Sequence, residues 1–163
     1  MTNNDLLRRL RYALKLNGVI MAEIFALAGY EIGPADALKF LKKEEEQGFV
    51  VCDDTVMTFF LDGLILYKRG RQDNAAFKAQ PAAGGLTNNL ILRKLRIALE
   101  LNDEAMINIL KLAGVAISKS QLSAMFRSVE HRNYKPCGDQ FMRNFIRGLT
   151  LVPKNAEQKN SPE

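Results

Sequence analysis

The sequence predicts an all-α protein: two homologous four-helix repeats related by an 85-residue internal duplication and joined by an exposed linker. Three observations carry that expectation. Displaced by 85 residues, the chain overlays itself without a gap, with 25 identities over the 66 positions pairing residues 2–67 with 87–152. Identity at that level over a fixed offset marks a duplication. Apolar residues in both copies recur at helical spacing, and no segment alternates apolar and polar residues over the length of a strand.

The elements follow in order. The first helix has Leu6, Leu7, Leu10, Ala13 and Leu14 on one stripe, with Asn3 or Asn4 expected as its N-cap. A second runs from near Asn17 to Ala28 and stops at Gly29, as its counterpart stops at Gly114, because a helix commonly ends on a left-handed glycine. The third starts after Gly33-Pro34 and, in the second copy, after a capping Ser118. The fourth starts around Cys52-Asp53-Asp54 and carries Val56, Met57, Phe60, Leu61 and Leu64 on one face. Phe141, Met142, Phe145, Ile146 and Leu149 repeat that spacing. Gly63 and Gly148 stand inside these fourth helices, where glycine costs about 1 kcal/mol relative to alanine. Their presence in both copies predicts a close backbone crossing. The chain thus divides into repeat one (1–67), a basic Gly/Ala/Pro-containing linker (68–86), repeat two (87–152) and a flexible tail (153–163).

The bulk properties narrow the functional classes. A chain of 163 residues with 47% hydrophobic residues can bury a real core. It has no run of 18 apolar residues and no charged-then-apolar leader, so neither a membrane span nor a signal peptide is expected. Two cysteines without a CxxC, and a single histidine, argue against a disulfide scaffold or a zinc site. No metal, no cofactor and a cytoplasmic location are the resulting expectations.

One stretch does resemble an active site. Residues 128–141 hold His131, Cys137, Asp139, Glu130 and Tyr134. The duplication acts as an internal control here. His131 corresponds to Glu46 and belongs to one copy only, whereas Cys137 and Asp139 recur as Cys52 and Asp54. What both copies keep serves the fold they share. Asp54 and Asp139 suit the first turn of a helix, whose free N–H groups and dipole favour a carboxylate. Cys52 and Cys137 read as small buried hydrophobes. The alternative is a thiolate stabilised by the helix terminus with His131 as its base, but no orienting group or oxyanion motif accompanies it. No catalytic residue is therefore assigned.

Other polar positions recur as well: Asn4 with Asn89, Arg8 with Arg93, and Arg11 with Arg96. The asparagines read as caps. The arginines read as surface charges or as partners of the repeated Asp, orienting helix four against helix one.

Charge divides the chain unequally. Residues 1–67 carry seven Lys/Arg against ten Asp/Glu, a net of −3, while residues 87–152 carry ten against five, a net of +5. In the second copy Arg143 and Arg147 stand i, i+4 on helix four, with Arg132, Tyr134 and Lys135 upstream. Together they read either as a solvated positive face or as a candidate basic binding face with Tyr134 as a stacking surface. The first copy has Thr58 and Asp62 instead of those arginines. A helix-turn-helix reading of residues 109–126 is weak, because three residues separate Gly114 from Ser118 and because the first copy runs into Lys42-Lys-Glu-Glu-Glu46.

The sequence also resembles a family of small bacterial proteins, the YehS type, defined by a duplicated domain of unknown function. The resemblance covers nearly all of residues 2–152. It rests on Asn3-Asn4-Asp5 with Leu10-Arg11, Lys42-Lys-Glu-Glu-Glu-Gln-Gly-Phe49 with Cys52, Phe60-Leu-Asp-Gly-Leu-Ile65 with Lys68-Arg-Gly70, and His131-Arg-Asn-Tyr-Lys-Pro-Cys-Gly-Asp-Gln140 with Arg147-Gly-Leu149. Glu45 and Glu130 depart from the Asp common there. The resemblance implies a bacterial, cytoplasmic, helical protein and brings no activity, substrate or cofactor.

The expected function is a non-enzymatic adaptor or regulator with an unknown protein partner. Nucleic-acid binding through the basic second repeat is the alternative, and a cysteine-dependent enzyme the remote one. The acidic and basic repeats could also pair with each other, within a chain or between chains.

Overall fold

The computed structural model describes residues 1–70 and 85–153. Most of the expected linker and nearly all of the expected tail lie outside the described residues. Within them are eight helices and no strand: α1 (Asn3–Leu14), α2 (Gly18–Leu27), α3 (Pro34–Lys39), α4 (Asp54–Arg69), α5 (Asn88–Ala98), α6 (Asp103–Leu112), α7 (Lys119–Ala124) and α8 (Asp139–Leu151).

The helix starts are local chemistry. Thr2 and Thr87 cap α1 and α5, their hydroxyls accepting the N–H of Asp5 and Leu90. Thr2 closes a capping box with Asp5. This corrects the expectation that Asn3 or Asn4 caps α1, since a threonine one residue earlier already satisfies the free N–H groups. Asn17, Asn102, Asp53 and Ser118 cap α2, α6, α4 and α7. Gly29 and Gly114, with φ of +94° and +82°, end α2 and α6 as expected.

By packing, the chain forms two compact units, Met1–Glu100 and Leu101–Glu163. In the first, α2 packs on α3 and α4, α1 meets α4, and α5 lies along α4. Its core gathers Leu7, Leu10, Ile24, Phe25, Met57, Phe60 and Leu64, all fully buried. Phe25 stands at the centre of an aromatic cluster, 5.4 Å from Tyr30, 5.6 Å from Phe60 and 5.9 Å from Phe40 between ring centres. In the second unit α6 packs on α7 and α8, with Met106, Leu110, Leu122, Met142 and Phe145 buried. The boundary between sequence copies and the boundary between compact units differ: α5, the first helix of the second copy, packs along α4 of the first.

Both fourth helices cross their second helices closely. A Cβ built on Gly63 would stand 2.8 Å from the Ile24 carbonyl carbon, and one on Gly148 would stand 2.8 Å from that of Ile109. The crossing expected from the repeated glycines is present in each unit.

Candidate functional site

The residues that resembled an active site form the connection between α7 and α8. The His131 N–H donates to the Ser128 carbonyl at 3.0 Å and the Tyr134 N–H to the His131 carbonyl at 2.9 Å. The same two turns exist between α3 and α4, where Glu46 N–H bonds the Lys43 carbonyl at 2.9 Å and Phe49 N–H bonds that of Glu46 at 3.2 Å. His131 fills a turn position that Glu46 fills in the other copy. Its Nδ1 accepts the N–H of Asn133, two residues ahead, at 3.0 Å, whereas the Glu46 carboxylate accepts that of Lys43, three residues behind, at 2.9 Å.

Cys52 and Cys137 are both buried thiols in no disulfide. Burial, joined by the carboxylate of Asp139, pushes the Cys137 thiol up to about 12. Burial, with Asp53 and Asp54, pushes Cys52 up to about 12. A nucleophilic thiolate needs the opposite shift. Among the described residues no group of His, Cys, Asp and Glu is arranged to hold a metal ion, and no helix is long and apolar enough to cross a membrane.

Two of the repeated polar residues of α1, Asn4 and Arg8, are bonded within the fold. Asn4 is buried, and its Nδ2 donates to the carbonyls of Phe40 and Val50, both at 2.9 Å, while its Oδ1 accepts the Cys52 N–H at 3.0 Å. One amide thereby ties both ends of the α3–α4 connection to α1. Asn3 Nδ2 donates to Asp54 Oδ1 at 2.8 Å. Of the two readings of these arginines, surface charge or partner of the repeated Asp, Arg8 does not pair with Asp54. Arg8 instead pairs with Asp5, one turn back on its own helix face, and donates from Nη1 to the Lys42 carbonyl at 2.9 Å. The start of α4 lies beside the start of α1, which brings Asn3, not Arg8, to Asp54. Arg11 is exposed. In α5 the corresponding Asn89 and Arg96 are half-buried and Arg93 is exposed. Between α1 and the α3–α4 connection opens a cleft of about 530 Å³, lined by Thr2, Asn4, Asp5, Arg8, Lys43 and Glu44 among others. Asn4 and Arg8 face it with hydrogen bonds already committed to the protein.

A pair that sequence reasoning did not single out joins α4 to α5. Asp62 is fully buried and bonds Lys94, whose side chain is 13% exposed. Burial raises the Asp62 carboxyl above its ordinary range, and the bonded Lys94 ammonium pulls it partly back. Its second oxygen, Oδ2, is buried with no hydrogen-bond partner among the described residues. Arg69 and Glu100 approach to 3.6 Å in the same unit. The available signal was a lone carboxylate inside the apolar run Phe59-Phe60-Leu61-Asp62-Gly63-Leu64-Ile65.

The candidate basic face is a strip of α8 preceded by a loop. Arg147 is exposed, and Arg143 is half-buried with Nη1 3.3 Å from Gln140 Oε1. One helical turn separates the two arginines, so they share a face. Arg132 and Lys135 are exposed on the α7–α8 connection and Tyr134 is half-buried there. Across the duplication Arg147 stands where Asp62 stands on α4. The strip is therefore the counterpart of the α4 surface on which α5 is seated. As DNA readers the third helices are short: α7 has six residues, about 9 Å of helix.

The chain matches the family described as "Protein of unknown function (DUF1456)" twice, over residues 3–70 and 88–154. It is 40% identical over 149 residues to the "Uncharacterized protein YehS" of Escherichia coli (strain K12), an alignment covering 91% of this chain and 94% of that protein. No solved structure matches significantly.

Proposed function

The chain belongs to the family of proteins of unknown function DUF1456, and on that premise we propose that it is a cytoplasmic, non-enzymatic adaptor or regulator that acts by binding another protein. The carrying observation is the α8 strip at positions where α4 holds a helix, on which Arg147 is exposed and Arg143 half-buried. Positive charge at a helix-docking position favours an acidic protein surface and discourages like-charged ones. An enzymatic role has the least support, since both thiols are buried and protonated at neutral pH. Nucleic-acid binding is the second reading, favoured by the i, i+4 arginines and the exposed Arg132 and Lys135.

Labelled duplex DNA and single-stranded RNA, titrated with the full chain at about 50 and 200 mM salt, separate the two. The expected result is no saturable binding at either salt, together with a bacterial partner protein retained by the wild type and lost by Arg143→Ala/Arg147→Ala. Nucleic-acid affinity that falls by orders of magnitude between the two salts, and vanishes in the same variant, would overturn the protein-binding reading.

A further inference from the structure

The α4 surface that α5 covers has an uncovered counterpart on α8. Across the duplication Asp62 becomes Arg147, Thr58 becomes Arg143, Ile65 becomes Thr150 and Leu66 becomes Leu151. On α4, Asp62 and Ile65 are fully buried, whereas on α8 Arg147 and Thr150 are exposed and Leu151 is 46% exposed. The helix seated on α4 has a recognisable pattern. Lys94 reaches Asp62, and Leu90 and Ile97, one turn before and after it, share that side of α5 and are half-buried. In α1, the homologue of α5, the same three positions are Asp5, Arg9 and Tyr12, with Arg9 exposed and Tyr12 72% exposed. Apolar residues flanking a charge thus distinguish the helix that docks from the one whose outer face meets solvent.

We propose that the α8 strip is a docking site for an amphipathic helix of another protein, seated as α5 is seated on α4 but with the charges exchanged. The docking helix carries an Asp or Glu toward Arg147 and Arg143, with an apolar residue four positions before it and another three positions after. The inference rests on the protein-binding reading above and gives its partner a chemistry. The first helix of a second copy does not qualify. It would set Arg9 against Arg147 and Asp5 where an apolar side chain is needed, and like charges across an interface are costly. A phosphate backbone would use the two arginines and leave the exposed Leu151 without a role.

The test is fluorescence anisotropy with the full chain and a labelled peptide of its own residues 87–101 carrying Lys94→Glu. That peptide is barred from replacing α5, because on α4 its Glu would meet Asp62. It is expected to bind the wild type at least about tenfold more tightly than the unchanged peptide, with the order reversed on Arg147→Asp. Arg147 is exposed, so the variant is expected to unfold at the wild-type temperature, and its melting curve serves as the control. Both peptides binding alike, an order unmoved by Arg147→Asp, or no binding up to about 1 mM would each overturn the inference. If the peptides fail while the nucleic-acid titrations are also flat, helix docking falls and protein binding by another surface stands. Nucleic-acid binding lost on Arg147→Asp removes both.

Discussion

Gly63 passes Ile24 so closely that a Cβ on the glycine would fall 2.8 Å from the Ile24 carbonyl carbon, and Gly148 stands in the same relation to Ile109. The opposing atoms are backbone, which has no rotamer by which to retreat. The crossing therefore sets how near α4 comes to α2, and α8 to α6.

Replacing either glycine by alanine is expected to destabilise the protein, although alanine is the better helix former by about 1 kcal/mol. Overpacking against backbone outweighs that gain, for a net loss of about 2–4 kcal/mol. Urea unfolding of Gly63→Ala and Gly148→Ala measures it; a variant as stable as the wild type would mean that the helices separate at little cost.

Asn4→Ala leaves the Phe40 and Val50 carbonyls and the Cys52 N–H without the amide that now satisfies them. The expected cost is about 2–4 kcal/mol, since each unsatisfied buried group costs about 1–3 kcal/mol and water re-enters part of the site. Hydrogen exchange at the Cys52 amide should quicken before global unfolding does. Asn4→Asp should be no rescue, because a carboxylate cannot donate to two carbonyls.

Lys94→Met strands a buried carboxylate and is expected to cost about 3–5 kcal/mol, whereas Asp62→Leu combined with Lys94→Met is expected to recover most of that loss or exceed the wild type. A double-mutant cycle in urea isolates the coupling. The pH dependence has a definite sign. The Asp62 carboxyl is already raised in the folded protein by burial, and removing Lys94 raises it further. A raised carboxyl favours the folded state at low pH and opposes it once ionised. The deficit of Lys94→Met should therefore be largest at neutral pH and shrink toward about pH 4. A deficit independent of pH would contradict the assignment.

The two thiols make an alkaline prediction. Burial pushes both up to about 12 from an ordinary value of 9.0, so each contributes stability that is complete below 9.0 and lost as the pH rises toward 12. Cys52→Ala and Cys137→Ala should each flatten the fall in stability over that window. In the native protein neither thiol should react quickly with a disulfide reagent at about pH 8, and both should do so in urea. Rapid native labelling of Cys137 would reopen the enzymatic reading.

Much of the architecture was legible because it is written locally. Periodic leucines and phenylalanines located the helices, Gly29 and Gly114 their ends, and Ser118 a start. The end of the first helix in each copy was harder to read, because Lys15 and Glu100 adopt the left-handed cap conformation without being glycine. The polar positions were found but partly misassigned. Asn4 and Arg8 stood out because both copies keep them, yet nothing in the string distinguishes a capping asparagine from one bonded to carbonyls 36 and 46 residues away.

By itself, the sequence determined the duplication, the all-helical class, the family and the close crossings at Gly63 and Gly148, because each depends on spacing or identity within one stretch of chain. Only the tertiary structure decided that α5 lies along α4, that the buried Asp62 meets Lys94, and that His131 belongs to a turn. The physical reason is that helical periodicity reports which face is apolar and not what covers it. A carboxylate reads the same in sequence whether it meets water or a lysine from the other copy.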